Sequence, residues 1–181
     1  EVIDTLNHLY RLYLNEINLC IHDEVQNAAQ LLPGVYTAGQ RIAGIHSLCW
    51  KGGTREENTH AMLQAIRNPW TQIISHPGDG TALLDFEPIV LAAKETRTLL
   101  EINSSSMDPV RHKKEARENN LEILRLCRHY EVPIILGSDA HISFSVADYR
   151  YALPLLAETD FPEALVINDK PEWFLEYTGI E

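Results

Sequence analysis

A chain of 181 residues and 20.6 kDa suits one compact domain, and 45% apolar with 23% charged residues is ordinary globular composition rather than that of a disordered segment. Its 15 Lys+Arg against 26 Asp+Glu leave a formal net charge of −11, which argues against nucleic-acid binding except where bound metal focuses positive charge. No apolar stretch approaches the roughly 18 residues of a membrane span, and three scattered cysteines (Cys20, Cys49, Cys127) form neither a disulfide framework nor a metal knuckle, so the expected location is cytoplasmic.

The chain opens Glu1-Val2-Ile3-Asp4, with neither initiator Met nor signal peptide, in what reads as a helix. The expectation is that an upstream segment is missing. From there, short apolar runs alternate with longer amphipathic segments, the pattern of βα units. The runs are Leu12–Leu19, Arg41–His46, Gln72–His76, Thr98–Asn103 and Pro133–Asp139. Between the first two, Ile21–Gln40 resists assignment. Asn58 or Thr59 is expected to cap a helix through Ile66, ended by Asn68-Pro69. Asp85 is expected to cap Phe86–Thr96, with Pro88 in the first turn. Lys113–Tyr130 carries an apolar stripe of Leu121, Ile123, Leu124 and Cys127. Asp148–Leu156 reads as a helix, Ala164–Asn168 as a short extended stretch, and Lys170-Pro171-Glu172 opens a last helix through Tyr177 that Gly179 stops. Nearly uncharged strands joined by helices imply an α/β fold, with a parallel sheet closed as a barrel or doubly wound.

The informative feature is what ends the runs: His46, His76, Asn103-Ser104-Ser105-Ser106, and Asp139-Ala140-His141. In parallel α/β folds the carboxyl ends of the strands carry the site. Extended geometry over 139–141 would point Asp139 and His141 to one face, and Pro77 would bias His76 toward extended backbone. Gly44 and Gly137 would allow close packing below these tips. Three histidines and an aspartate suit zinc, manganese or iron. Glu16, at the end of the first run, is a fifth candidate able to bridge two metals. Glu101 shares a strand face with Asn103 and is a candidate buried acid behind the ligands. His22, His60 and His129 read as surface residues, and Trp50, Trp70 and Trp173 as core or loop anchors.

Ala43-Gly44-Ile45-His46, Ile74-Ser75-His76-Pro77-Gly78, Leu100-Glu101-Ile102-Asn103-Ser104-Ser105, Gly137-Ser138-Asp139-Ala140-His141 and Glu16-Ile17-Asn18-Leu19, in this order, resemble the PHP (polymerase and histidinol phosphatase) family, in its bacterial stand-alone phosphatase branch. The resemblance implies a distorted seven-stranded βα barrel with two or three divalent metal ions at its carboxyl end. Glu16 would bridge two metals, His46 and His76 would bind the second of them, Asp139 the first and His141 the third, with Asp139 and His141 also in catalytic roles. The family begins with a strand bearing His-x-His and a strand ending in Asp-His. Residues 1–15 match neither, and His8 is not that pair. One domain over residues 1–181, lacking the first two strands, is therefore expected.

The chemistry so implied is hydrolysis of a small phosphorylated substrate, with a metal-activated water and both reacting oxygens clamped by the ions. Phosphate recognition in an acidic protein must be local, and Arg111, His112, Lys113 and Lys114 follow the serine loop. Arg111, Asn103 and Ser105 are the candidate substrate contacts, although Asn103 and Ser105 could equally steady a ligand histidine or only close the turn. Two alternatives stand beside this reading. One is another metal-dependent hydrolase such as an amidohydrolase, against which no lysine sits at a strand tip. The other is a catalytically impaired remnant acting by binding or dimerisation through exposed barrel edges.

Overall fold

The computed structural model describes residues 19–20, 42–46, 52–113 and 115–179. Its strands are β1 (Leu19–Cys20), β2 (Ile42–Gly44), β3 (Ile73–Ile74), β4 (Leu99–Asn103) and β5 (Ile134–Gly137), all parallel and paired in sequential order. The helices are α1 (Arg55–Arg67), α2 (Phe86–Thr96), α3 (Ala116–Tyr130), α4 (Leu153–Glu158) and α5 (Pro171–Thr178). The α/β alternation expected from the sequence is present. Closure into a seven-stranded barrel is not seen among the described residues, and neither is the reversal of strand order that defines a doubly wound sheet.

Register sorts the strand residues onto two faces. Ala43, Ile74, Leu100, Ile102, Ile134 and Leu136 face a core completed by Met62 and Ile66 of α1, Ile89, Val90 and Ala93 of α2, and Leu121, Leu124 and Cys127 of α3. On the opposite face Ile42, Ile73 and Leu99 lie side by side, covered by Phe174 and Trp173 of α5 with Ile167. Further along this second face the residues become small or polar: Gly44, Ser75 and Glu101, then His46 and Asn103. Apolar layers thus support a polar layer at the carboxyl ends.

Several element boundaries differ from those read in the sequence, each for a local reason. Helix α1 starts four residues before Thr59 because Thr54 and Glu57 form a capping box: Glu57 N–H donates to Thr54 Oγ1 at 3.2 Å and Thr54 N–H to Glu57 Oε2 at 2.8 Å. Asn58 and Thr59 are instead buried inside the helix. Asp85 does precede α2, but its side chain makes no cap and lies 3.5 Å from Arg55. Helix α3 begins at Ala116, after two 3₁₀ turns at Ser105–Met107 and Pro109–Arg111. Helix α4 begins at Leu153 rather than Asp148, because Pro154 is tolerated in a first turn and not in the interior. Of Ala164–Asn168 only Val166 bridges a strand, beside Ile134, while Glu163–Leu165 is a 3₁₀ turn. The Asn168 amide accepts from Leu136 N–H at 2.7 Å and donates to Leu136 C=O at 2.8 Å, standing in for a strand neighbour. Helix α5 ends at Gly179, at φ 66°, as expected. Trp70 is 50% exposed and lies outside both apolar clusters, while Trp173 packs against the second. No helix among the described residues is long and apolar enough to cross a membrane.

Candidate active site at the strand tips

The residues ending β2, β3, β4 and β5 meet at one end of the sheet. His46 and His76 lie edge to face with ring centroids 4.8 Å apart. His46 Nε2 is buried and has no hydrogen-bond partner among the described residues. Burial is the main reason its pKa falls, helped by the neighbouring His76. His76 goes the other way. Burial alone would lower its pKa, but the hydrogen bond to Asp79 and the charges of Asp79 and Glu101 outweigh it and raise the value.

Asp79 is the site residue that strand-tip reasoning missed. It is 4% exposed and collects Thr81 N–H at 2.8 Å, Thr81 Oγ1–H at 2.7 Å, His76 Nδ1 at 3.3 Å and the Lys113 ammonium. Burial would push its pKa up, yet the hydrogen bonds from His76 and Lys113 hold the carboxyl well below the usual carboxylate range. A His-x-x-Asp spacing across Pro77-Gly78 was the available signal. Gly78 is required there, since a Cβ would come within 2.9 Å of the Asn120 side chain.

Glu101 lies on the second face of the sheet, as His46 does, and reaches the His76 backbone. Its Oε2 accepts from His76 N–H at 2.7 Å and its Oε1 from the Asn103 amide at 3.2 Å. Burial pushes its pKa up. Asn103 is buried, and its Oδ1 accepts from Ser106 N–H at 2.9 Å, Ser106 Oγ–H at 3.0 Å and Ser105 Oγ–H at 3.1 Å. The Ser105 hydroxyl also reaches Asp139 Oδ2, at 3.2 Å. A polar chain therefore runs from His76 through Glu101, Asn103 and Ser105 to Asp139.

The backbone at two tips departs from the extended geometry the sequence suggested. His76 has φ 35° and Asp139 φ 48°. At His76 the N–H is drawn to Glu101 and the C=O accepts from Asp79 N–H at 3.1 Å, closing a turn that overrides the preference set by Pro77. At Asp139 the turn lets His141 Nδ1 approach the Asp139 carbonyl oxygen at 2.9 Å, while the His141 side chain stays 72% exposed. Arg111 lies 3.4 Å from Asp139 Oδ2 and is 44% exposed. These two residues, with Ser105, His141, Asp148 and Tyr151, border an open cleft of about 290 Å³. Lys113 is engaged by Asp79, Lys114 lies outside the described residues, and His112 is exposed. His60 and His129 are exposed as expected.

No group of three or more His, Cys, Asp or Glu side chains converges to hold a metal among the described residues. Two imidazoles do converge, and one presents a buried nitrogen with no bonding partner among the described residues, which fits a pair of metal-ligating histidines. Glu16, His22, Cys49 and Trp50 lie outside the described residues.

No family model matches the chain. Over 136 residues, 75% of its length, the chain is 40% identical to a probable phosphatase of Caldicellulosiruptor bescii, of which it covers 55%. A probable phosphatase of Caldicellulosiruptor saccharolyticus is 41% identical over 136 residues, with 56% of it covered. One of Clostridium acetobutylicum is 35% identical over 136 residues, with 55% covered. The chain thus spans about half the length of the curated relatives it matches.

Proposed function

We propose that this chain carries part of the site of a metal-dependent phosphoesterase of the PHP type, acting on a small phosphorylated substrate. The observation that carries the reading is His46 Nε2, buried and without a partner among the described residues, beside His76 at the strand tips. The probable phosphatases at 35–41% identity supply the reaction class. Sequential parallel strands with α1, α2 and α3 on one face have the winding of a barrel wall, which supports the seven-stranded fold the motifs suggest.

His46 and His76 would hold one divalent ion (zinc, manganese or iron), with Glu16 as bridge, and Asp139 and His141 would serve further ions. Such ions, when bound, supply Lewis acidity toward phosphoryl oxygens and lower the pKa of water. The chain's own residues do the positioning. Glu101 fixes the His76 backbone, Asn103 locks the serine turn, and Ser105 steadies the Asp139 carboxylate. Arg111, exposed at the cleft, is the guanidinium able to receive a phosphate in this acidic protein, exchanging its contact with Asp139 for one with substrate. A cytoplasmic location and self-association through sheet edges belong to the same proposal, although the β5 edge is already engaged by Val166 and Asn168.

The test is elemental analysis together with hydrolysis of p-nitrophenyl phosphate, after purification in excess manganese or zinc. Two or more bound ions and a hydrolytic rate lost in His46→Ala are expected. Fewer ions and no hydrolysis overturn the enzyme reading for this chain. Metal uptake without hydrolysis favours the impaired, binding-only remnant.

A further inference from the structure

The strand-tip histidines differ in how they are held. His46 has a buried nitrogen with no partner among the described residues, whereas His76 has a carboxylate against Nδ1. That carboxylate belongs to Asp79, three residues on, in a turn closed by Asp79 N–H donating to His76 C=O at 3.1 Å. Asp79 is itself immobilised: Thr81 donates to it twice, and Lys113, from the segment leading into α3, reaches across to the same oxygen that faces His76. An ionised carboxylate accepts and cannot donate, so its neighbour at Nδ1 must carry the proton.

We propose that Asp79 is the positioning residue of this site, fixing His76 as the Nδ1–H tautomer so that Nε2 offers its lone pair beside His46, with Lys113 and Thr81 holding Asp79 in place. The role in metal binding rests on the reading of His76 as a ligand, while the tautomer rests on the 3.3 Å approach of Asp79 Oδ2 to His76 Nδ1. A carboxylate behind a ligating imidazole orients the ring and raises its basicity, and removing such a partner typically weakens metal binding about 10- to 100-fold. A purely structural Asp79, serving only its ion pair with Lys113, would leave the proton position on His76 indifferent.

Long-range ¹H–¹⁵N NMR on the metal-free, ¹⁵N-histidine-labelled chain reads that proton directly, at a pH where the imidazoles are neutral. His76 is expected as Nδ1–H with a bare Nε2. In Asp79→Asn, shown to be folded by circular dichroism, the preference should be lost, and Zn(II) affinity measured against a competing chelator should fall about 10- to 100-fold. A wild-type His76 protonated on Nε2 overturns the proposal, as does a folded D79N with unchanged tautomer and affinity. Should the chain take up no Zn(II), the role of His76 as a zinc ligand fails, and the wild-type tautomer alone decides for or against Asp79. The wild-type spectrum also decides the matter if D79N does not fold.

Discussion

Glu101 lies across Gly137 so closely that a Cβ there would fall 1.5 Å from Oε1 and 2.9 Å from Cγ. The carboxylate could not stay, and with it would go the contacts to His76 N–H and the Asn103 amide. Gly137→Ala should therefore cost about 1–3 kcal/mol in urea denaturation, in the range of an overpacked core. Combined with Glu101→Ala, the loss should be less than additive, because the obstructing side chain is gone. The sequence made this pairing readable in part: a glycine before a polar strand tip, and a glutamate sharing a face with Asn103. What it did not display was Asp79 with Lys113, since their contact joins positions 34 apart through a loop whose path periodicity does not predict. The left-handed backbone at His76 was equally hidden, because the rule for a residue before proline points the other way.

At the level of elements, the positions of β2 to β5 were the most legible part, since nearly uncharged runs of β-branched and aliphatic residues have few alternatives, whereas the first run lies outside the described residues except at Leu19. Helix starts were less so. The apolar pattern of α1 begins near Asn58, yet the polar turn before it is wound by Thr54 and Glu57, a signal carried by caps rather than periodicity. Thr54→Ala should destabilise the chain by about 1 kcal/mol in thermal or chemical unfolding. Because Asn58 uses its amide on Gly53 C=O and Leu83 C=O, fraying of this turn should also loosen the 78–85 loop, which hydrogen exchange would detect. Helix α4 gives the opposite lesson: Pro154 marked its first turn in the sequence, and a window drawn from Asp148 passed over it.

For the molecule as a whole, the sheet's second face changes character along the strands, from an apolar layer under α5 to the polar tips. Phe174 is the main cover of that layer, at 8% exposure against Ile73 and Leu99. Phe174→Ala should cost about 3–5 kcal/mol, read from the denaturation midpoint. Helix α5 was readable from Pro171 and Gly179, whereas the face it covers was not, because layer order depends on register between strands far apart in sequence. Strand periodicity alone fits both barrel and doubly wound forms, and the sequential strand order among the described residues lacks only the reversal that defines the second.

The positive φ angles at His76 and Asp139 carry one further consequence. Each non-glycine residue in that region costs about 1–2 kcal/mol relative to a right-handed conformation. The backbone at both tips would relax with glycine, while the chemistry assigned to them needs an imidazole and a carboxylate. Under the proposed ligand roles, stability and activity would pull in opposite directions at these positions. Selection for a tougher fold alone would then tend to erase the chemical groups, and selection for that chemistry alone would keep the tips under tension.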